Sequence, residues 1–156
     1  MAFSLILDEI ETILSGTTGV ANVYKYSINE SQRDELETKI VSGTTVHWWE
    51  IKRISAPATA FTRGQTFRQH TFELLGHYGL DTDAATPSEI TFGSLIDTIM
   101  NEFNLRTNFA LNGTADQIKP PDLVEQFETT LSQGGNALVH FCRIHIFANE
   151  EVTISS

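Results

Sequence analysis

The chain has 156 residues, 40% of them apolar, with ten Phe spread along its length; this is enough for one domain with a full core and too much for a disordered tail. Its formal charge of −10, with 20 acids against 10 bases and no basic cluster larger than Lys52-Arg53, excludes the footprint needed to wrap or read nucleic acid. The same acidity suits DNA that passes without sticking, because an acidic wall repels phosphate.

The opening stretch carries Asp8, Glu9 and Glu11 and no basic n-region, so it is not a signal peptide, and the chain is expected in the cytosol of the cell that makes it. No apolar run approaches the roughly 20 residues of a membrane span. The single cysteine, Cys142, sits in an apolar run, reads as a small buried hydrophobe and rules out an internal disulfide. Phe3–Ser15 has a helical apolar period through Leu5/Ile6, Ile10 and Ile13/Leu14, with Ser4 as N-cap and Gly16 as stop. Val20–Ile28 reads as a short strand, and the charged run Asn29–Lys39 as wet surface.

Val46–Ile54 reads as a strand with apolar and polar groups on both faces. Adjacent Trp48 and Trp49 must point oppositely, so either one of them faces something other than the main core, as at an interface, or both are core or semi-core residues. Ser55–Gly64 reads as a long hairpin loop carrying Phe61 and Arg63, a candidate contact arm. Gln65–Leu80 follows as the longest strand signal so far. Phe67, Gln69, Thr71, Glu73, Leu75 and His77 form one face, and Arg68, His70, Phe72, Leu74, Gly76 and Tyr78 the other; the second is expected against helices.

Thr86-Pro87-Ser88-Glu89 spells a capping box with proline at the first helical position. The helix it opens runs to about Asn104 with the apolar stripe Phe92, Leu95/Ile96, Ile99 and Phe103. Leu123–Leu131 fits either a short helix or an edge strand, while Ala137–Phe147 reads as a nearly all-apolar strand extended by Val152 and Ile154. The order predicts a single α+β domain over 1–156: a mostly antiparallel sheet with two main helices on one face and a long hairpin loop.

Catalytic and cofactor signals are sparse. His70 and His77 are an odd number of residues apart, as are His140 and His145, so each pair points to opposite faces; no HxH, HExxH or zinc spacing is present. No GxSxG elbow or phosphate-binding glycine loop is found. The expectation is a protein without enzymatic activity, metal or cofactor. The polar face of Gln65–Leu80 then reads as a surface for a neighbouring subunit, and Trp48, Trp49, Lys52, Phe61, Arg63, Phe67 and Glu73 are the candidate interface residues.

The succession QHTFELLGHYGLD (Gln69–Asp81), TPSEITFGSLIDTIMNEF (Thr86–Phe103), Leu111-Asn112-Gly113 and ALVHFCRIHIFANEEV (Ala137–Val152) resembles the tail terminator, or tail completion, proteins of long-tailed bacteriophages, and VYKYSI (Val23–Ile28) fits the same pattern. The resemblance implies a virion protein assembled in the host cytoplasm into a homo-oligomeric ring, a hexamer. Such a ring caps the tail tube protein, ends its polymerisation and joins it to head–tail connector or stopper proteins, with DNA passing through the lumen unbound and no membrane involved. A head–tail adaptor or stopper is the neighbouring alternative. A small hydrolase using His70, His77 or Glu73 is the alternative from another class.

Overall fold

A computed structural model describes residues 2–26, 28, 41–42, 45–62, 64–80, 87–105, 108, 110–111, 115–117, 119–131 and 137–153. Among these lie two helices, α1 (Ala2–Gly16) and α2 (Ser88–Phe103). Nine strands join one sheet: β1 (Val23–Tyr24), β2 (Val41–Ser42), β3 (Thr45–Ser55), β4 (Ala58–Thr62), β5 (Gln65–Gly79), β6 (Ala110–Leu111), β7 (Ala115–Gln117), β8 (Asp122–Leu131) and β9 (Ala137–Thr153). The fold is α+β, as the order of elements predicts.

The sheet is built around β5 and β9, which pair antiparallel from Gln65↔Thr153 to Gly79↔Val139. On the outer side of β5, β3 pairs with its second half and β4 with its first. On the outer side of β9, β8 pairs with Ala137–His145 and β7 with Ala148–Glu150. β1 is the one parallel neighbour, alongside β3. Asn22 pins that junction: at φ 55° it donates its amide to the His47 carbonyl at 2.9 Å and accepts from the Trp49 N–H at 2.9 Å.

Residues opposed across strands share a face. The register therefore puts Trp49 and Ile51 of β3, Phe72 and Leu74 of β5, and Cys142, Ile144 and Ile146 of β9 on one side. Both helices pack there: Ile6, Ile10, Ile13 and Leu14 of α1 join Phe92, Leu95, Ile96, Ile99 and Phe103 of α2 in the same buried cluster. Each fully buried Leu, Ile or Phe contributes about 1.5–3 kcal/mol by area, so this side supplies most of the folding drive. Gly76 makes room for its largest member: a Cβ there would sit 2.4 Å from two ring carbons of Trp49. Cys142 is buried beside it, and burial pushes its thiol pKa up to about 12.

Three expectations change and one open reading is decided. Among its described residues, Val20–Ile28 contributes only Val23–Tyr24 to the sheet. The stretch Ser55–Gly64 is not simply a long loop, because Ala58–Thr62 pairs with the start of β5; Gly64 is in a turn and Arg63 lies outside the described residues. Its small residues hid the strand, whose partner rather than its own side chains defines it. Leu123–Leu131 resolves as edge strand β8. The helix starts at Ser88 with Pro87 as N-cap, one residue later than the reading with proline at the first helical position; proline has no side-chain group to cap with, the Ser88 hydroxyl contacts His140, and Thr86, the expected cap, lies outside the described residues. The run Asn29–Lys39 and Ile154 also lie outside them.

Candidate functional site

The side of the sheet opposite the helices is organised in rows that cross the strands. Trp48 of β3, His77 of β5, Phe141 of β9 and Phe127 of β8 stand in register. Trp48 and His77 stack with centroids 3.7 Å apart and planes 3° from parallel. Phe141 meets His77 edge-on at 5.1 Å and Phe127 at 5.0 Å, giving an aromatic band across four strands. Burial lowers the His77 pKa to about 4, helped by the positive charges of Lys52 and Arg143 and opposed by a backbone contact at Trp48, so the ring is neutral at neutral pH.

An ionic band lies beside the aromatic one. Glu73 Oε1 is 3.1 Å from Arg143 Nη1 and 3.3 Å from His145 Nε2, and Arg143 Nε donates to Glu125 at 2.8 Å. Burial pulls the Arg143 pKa down, and Glu73 and Glu125 more than offset that, holding it above its ordinary value. Glu50 is 8% exposed, and its Oε2 accepts the Ile28 N–H at 2.7 Å. Glu73, Arg143, His145 and Glu125 are thus held to one another by ion pairs beside the aromatic band.

Among the seven candidate interface residues, Trp48, Lys52, Phe67 and Glu73 fall on this face. Lys52 is exposed, Phe67 half-buried, and Glu73 8% exposed within its ion pairs. The two tryptophans do point oppositely, but neither offers an exposed ring. Trp49 is 0% exposed in the helix-side core, with its Nε1 donating to His47 Nε2 at 2.9 Å, so a contact role for it is withdrawn. Trp48 is 4% exposed and packs with Val139 under Tyr24, Ile28 and Val46, a second and smaller cluster. The backbone of Phe61 is in β4; its side chain and the whole of Arg63 lie outside the described residues.

Sequence reading missed the members supplied by the other strands: Phe127, Glu125, Phe141, Arg143 and His145. Alternation along β9 assigns its three to one face. Only the pairing of β8 with β9 brings Phe127 and Glu125 beside them.

The helix side holds its own polar contacts. His70 is fully buried 3.3 Å from Glu150; burial lowers its pKa, and Glu150 opposes the shift. Ser88 Oγ lies 2.8 Å from His140 Nε2, whose Nδ1 is 3.8 Å from Glu128, the connectivity of a nucleophile, base and carboxylate. The Ser88 side chain, however, is 4% exposed at the first turn of α2, and the Glu128 contact is longer than a hydrogen bond. The Ser88–His140 contact ties α2 to β9, and Ser88 is buried within it.

Among the described residues, no group of three or more His, Cys, Asp and Glu side chains is placed to hold a metal ion. No described helix is long and apolar enough to cross a membrane. No protein-family model matches the chain, and a search of curated proteins returns no match.

Proposed function

We propose that this chain is a structural subunit of a phage tail, a tail terminator that closes the head-proximal end of the tail tube as a ring. The observation that carries the reading is the two-sided sheet. One face is filled by both helices, and the other carries the aromatic and ionic bands with no described helix upon it, Phe127 being the member of the aromatic band open to solvent. A sheet with one packed face and one patterned face is suited to protein partners, because aromatic anchors and oriented charges are what interface centres use.

The acidic balance fits the same reading. Copies at −10 each around a lumen repel the phosphates of passing DNA, so a genome threads the ring without adhering. The partners are further copies of the chain, the tail tube protein on one side and a head–tail connector or stopper on the other. The site of action is the neck of the virion.

The test is direct. The purified chain is imaged by electron microscopy and sedimented over a range of concentrations, and particles assembled without it are imaged alongside. Closed rings from the pure chain, and tails of uncontrolled length without it, are expected. A chain that stays monomeric in the presence of tail tubes refutes the reading. Rings that bind connectors but leave tube length controlled assign the chain to the adaptor or stopper role instead.

A further inference from the structure

The two edges of the sheet differ in charge as well as in position. β4 pairs only with the first residues of β5, and β8 only with Ala137–His145 of β9, so among the described residues they lie on opposite edges at diagonally opposite corners. An edge strand presents an unused row of N–H and C=O groups. The ten residues of β8 expose Leu123, Val124 and Phe127 along that row.

From Ile51 to Phe72 the sequence holds Lys52, Arg53, Arg63 and Arg68, four of its 10 bases, and no acid. Lys52, Arg53 and Arg68 are exposed. Strand β8 holds Asp122, Glu125 and Glu128 and no base. Neighbours soften both corners without equalising them. Lys119 holds Asp122 at 3.1 Å, Arg143 holds Glu125 at 2.8 Å, and His140 is 3.8 Å from Glu128. At the other corner Glu150 and Glu151 stand opposite Arg68 and Phe67, and Glu73 opposite Lys52, while Arg53 lies 4.3 Å over the Phe3 ring.

We propose that the basic β4 corner of one copy docks on the acidic, apolar-lined β8 edge of the next, head to tail. The signs select this arrangement. Two β8 edges repel, two β4 corners repel, and only the unlike pair attracts, so an isologous dimer is disfavoured and a heterologous contact is favoured. Strand pairing across the joint uses both open edges. A heterologous contact repeats through every copy and closes a ring when its rotation allows. The inference rests on the ring reading and adds to it the two surfaces that meet.

The test uses full-length chains. An arm variant carries Lys52→Glu and Arg53→Glu, and an edge variant carries Asp122→Lys and Glu128→Lys. Each is expected to lose rings in sedimentation and electron microscopy at concentrations where the unmodified chain forms them. Mixing the two variants is expected to restore rings in which native mass spectrometry finds equal numbers of both chains, because every joint in an alternating ring is again unlike. Combining all four substitutions in one chain is expected to restore rings from that chain alone. Rings that survive either pair of substitutions overturn the inference and leave the ring reading standing. Loss that neither mixing nor combination repairs also overturns the inference. An unmodified chain that forms no ring removes both.

Discussion

Gly76 is the point at which one added carbon tests how the sheet, the helices and the larger tryptophan site fit together. A Cβ on Gly76 falls 2.4 Å from Cη2 and from Cζ3 of Trp49, and 2.9 Å from the Cys142 sulfur. The Trp49 ring has nowhere to retreat. Phe92 of α2 lies at 6.1 Å between centroids, and the indole N–H is committed to His47. Overpacking of this kind costs about 1–3 kcal/mol, and a ring that swings away leaves a buried donor unpaired for about 1–3 kcal/mol more. Gly76→Ala is therefore expected to cost about 3 kcal/mol, read as a drop in the urea midpoint at unchanged slope. Trp49→Leu alone should cost a similar amount through the lost ring and the cavity. In the double variant the new methyl meets space, so the two costs should fall short of additivity by about 2 kcal/mol or more. Measurements are made at protein concentrations below self-association, which would otherwise add to apparent stability. A Gly76→Ala protein within about 0.5 kcal/mol of the parent, or a strictly additive double variant, refutes this account of the core.

Four further outcomes are expected. Acidification should destabilise the fold as pH falls from about 6.5 towards 4. Burial lowers His47 and His77 from 6.5 to about 4, so the unfolded chain takes up protons through that window while the folded one does not. The two contributions are on the order of 3 kcal/mol each, fully present above pH 6.5, and replacing either histidine with Gln should flatten the measured stability–pH profile there. Glu73→Gln should weaken the fold by about 1–2 kcal/mol in urea titration, since Arg143 and His145 lose a nearly buried anion, whereas an unchanged midpoint would show that Glu125 alone satisfies Arg143. Phe127→Ser should move stability by less than about 0.5 kcal/mol because the ring is 44% exposed, yet it should weaken ring assembly measured by sedimentation; the reverse pattern would make Phe127 a core residue. Ser88→Ala should cost about 1 kcal/mol through the lost His140 bond while leaving ring assembly, seen by electron microscopy, intact; loss of assembly without loss of stability would move this contact from scaffold to function.

Local pattern alone determined which residues become α1, β3, β5, α2 and β9, and which face of β5 meets the helices. Helical and strand periods are written residue by residue, so Ile6, Ile10 and Phe92, or Phe72 and Leu74, declare their sides without any partner. Alternation also separated Trp48 from Trp49, and His70 from His77. Partners across the sheet are not written locally, and there the tertiary structure decided. Ala58–Thr62 becomes a strand because β5 lies beside it, and Leu123–Leu131 becomes an edge because β9 does. Ser88, at the start of α2, meets a histidine 52 residues away in sequence. The aromatic and ionic bands exist only when β3, β5, β9 and β8 stand in register, since their members come from different strands. The resulting face, with its bands and its two unlike edges, is a property of register. A sequence read one segment at a time names its residues and does not assemble it.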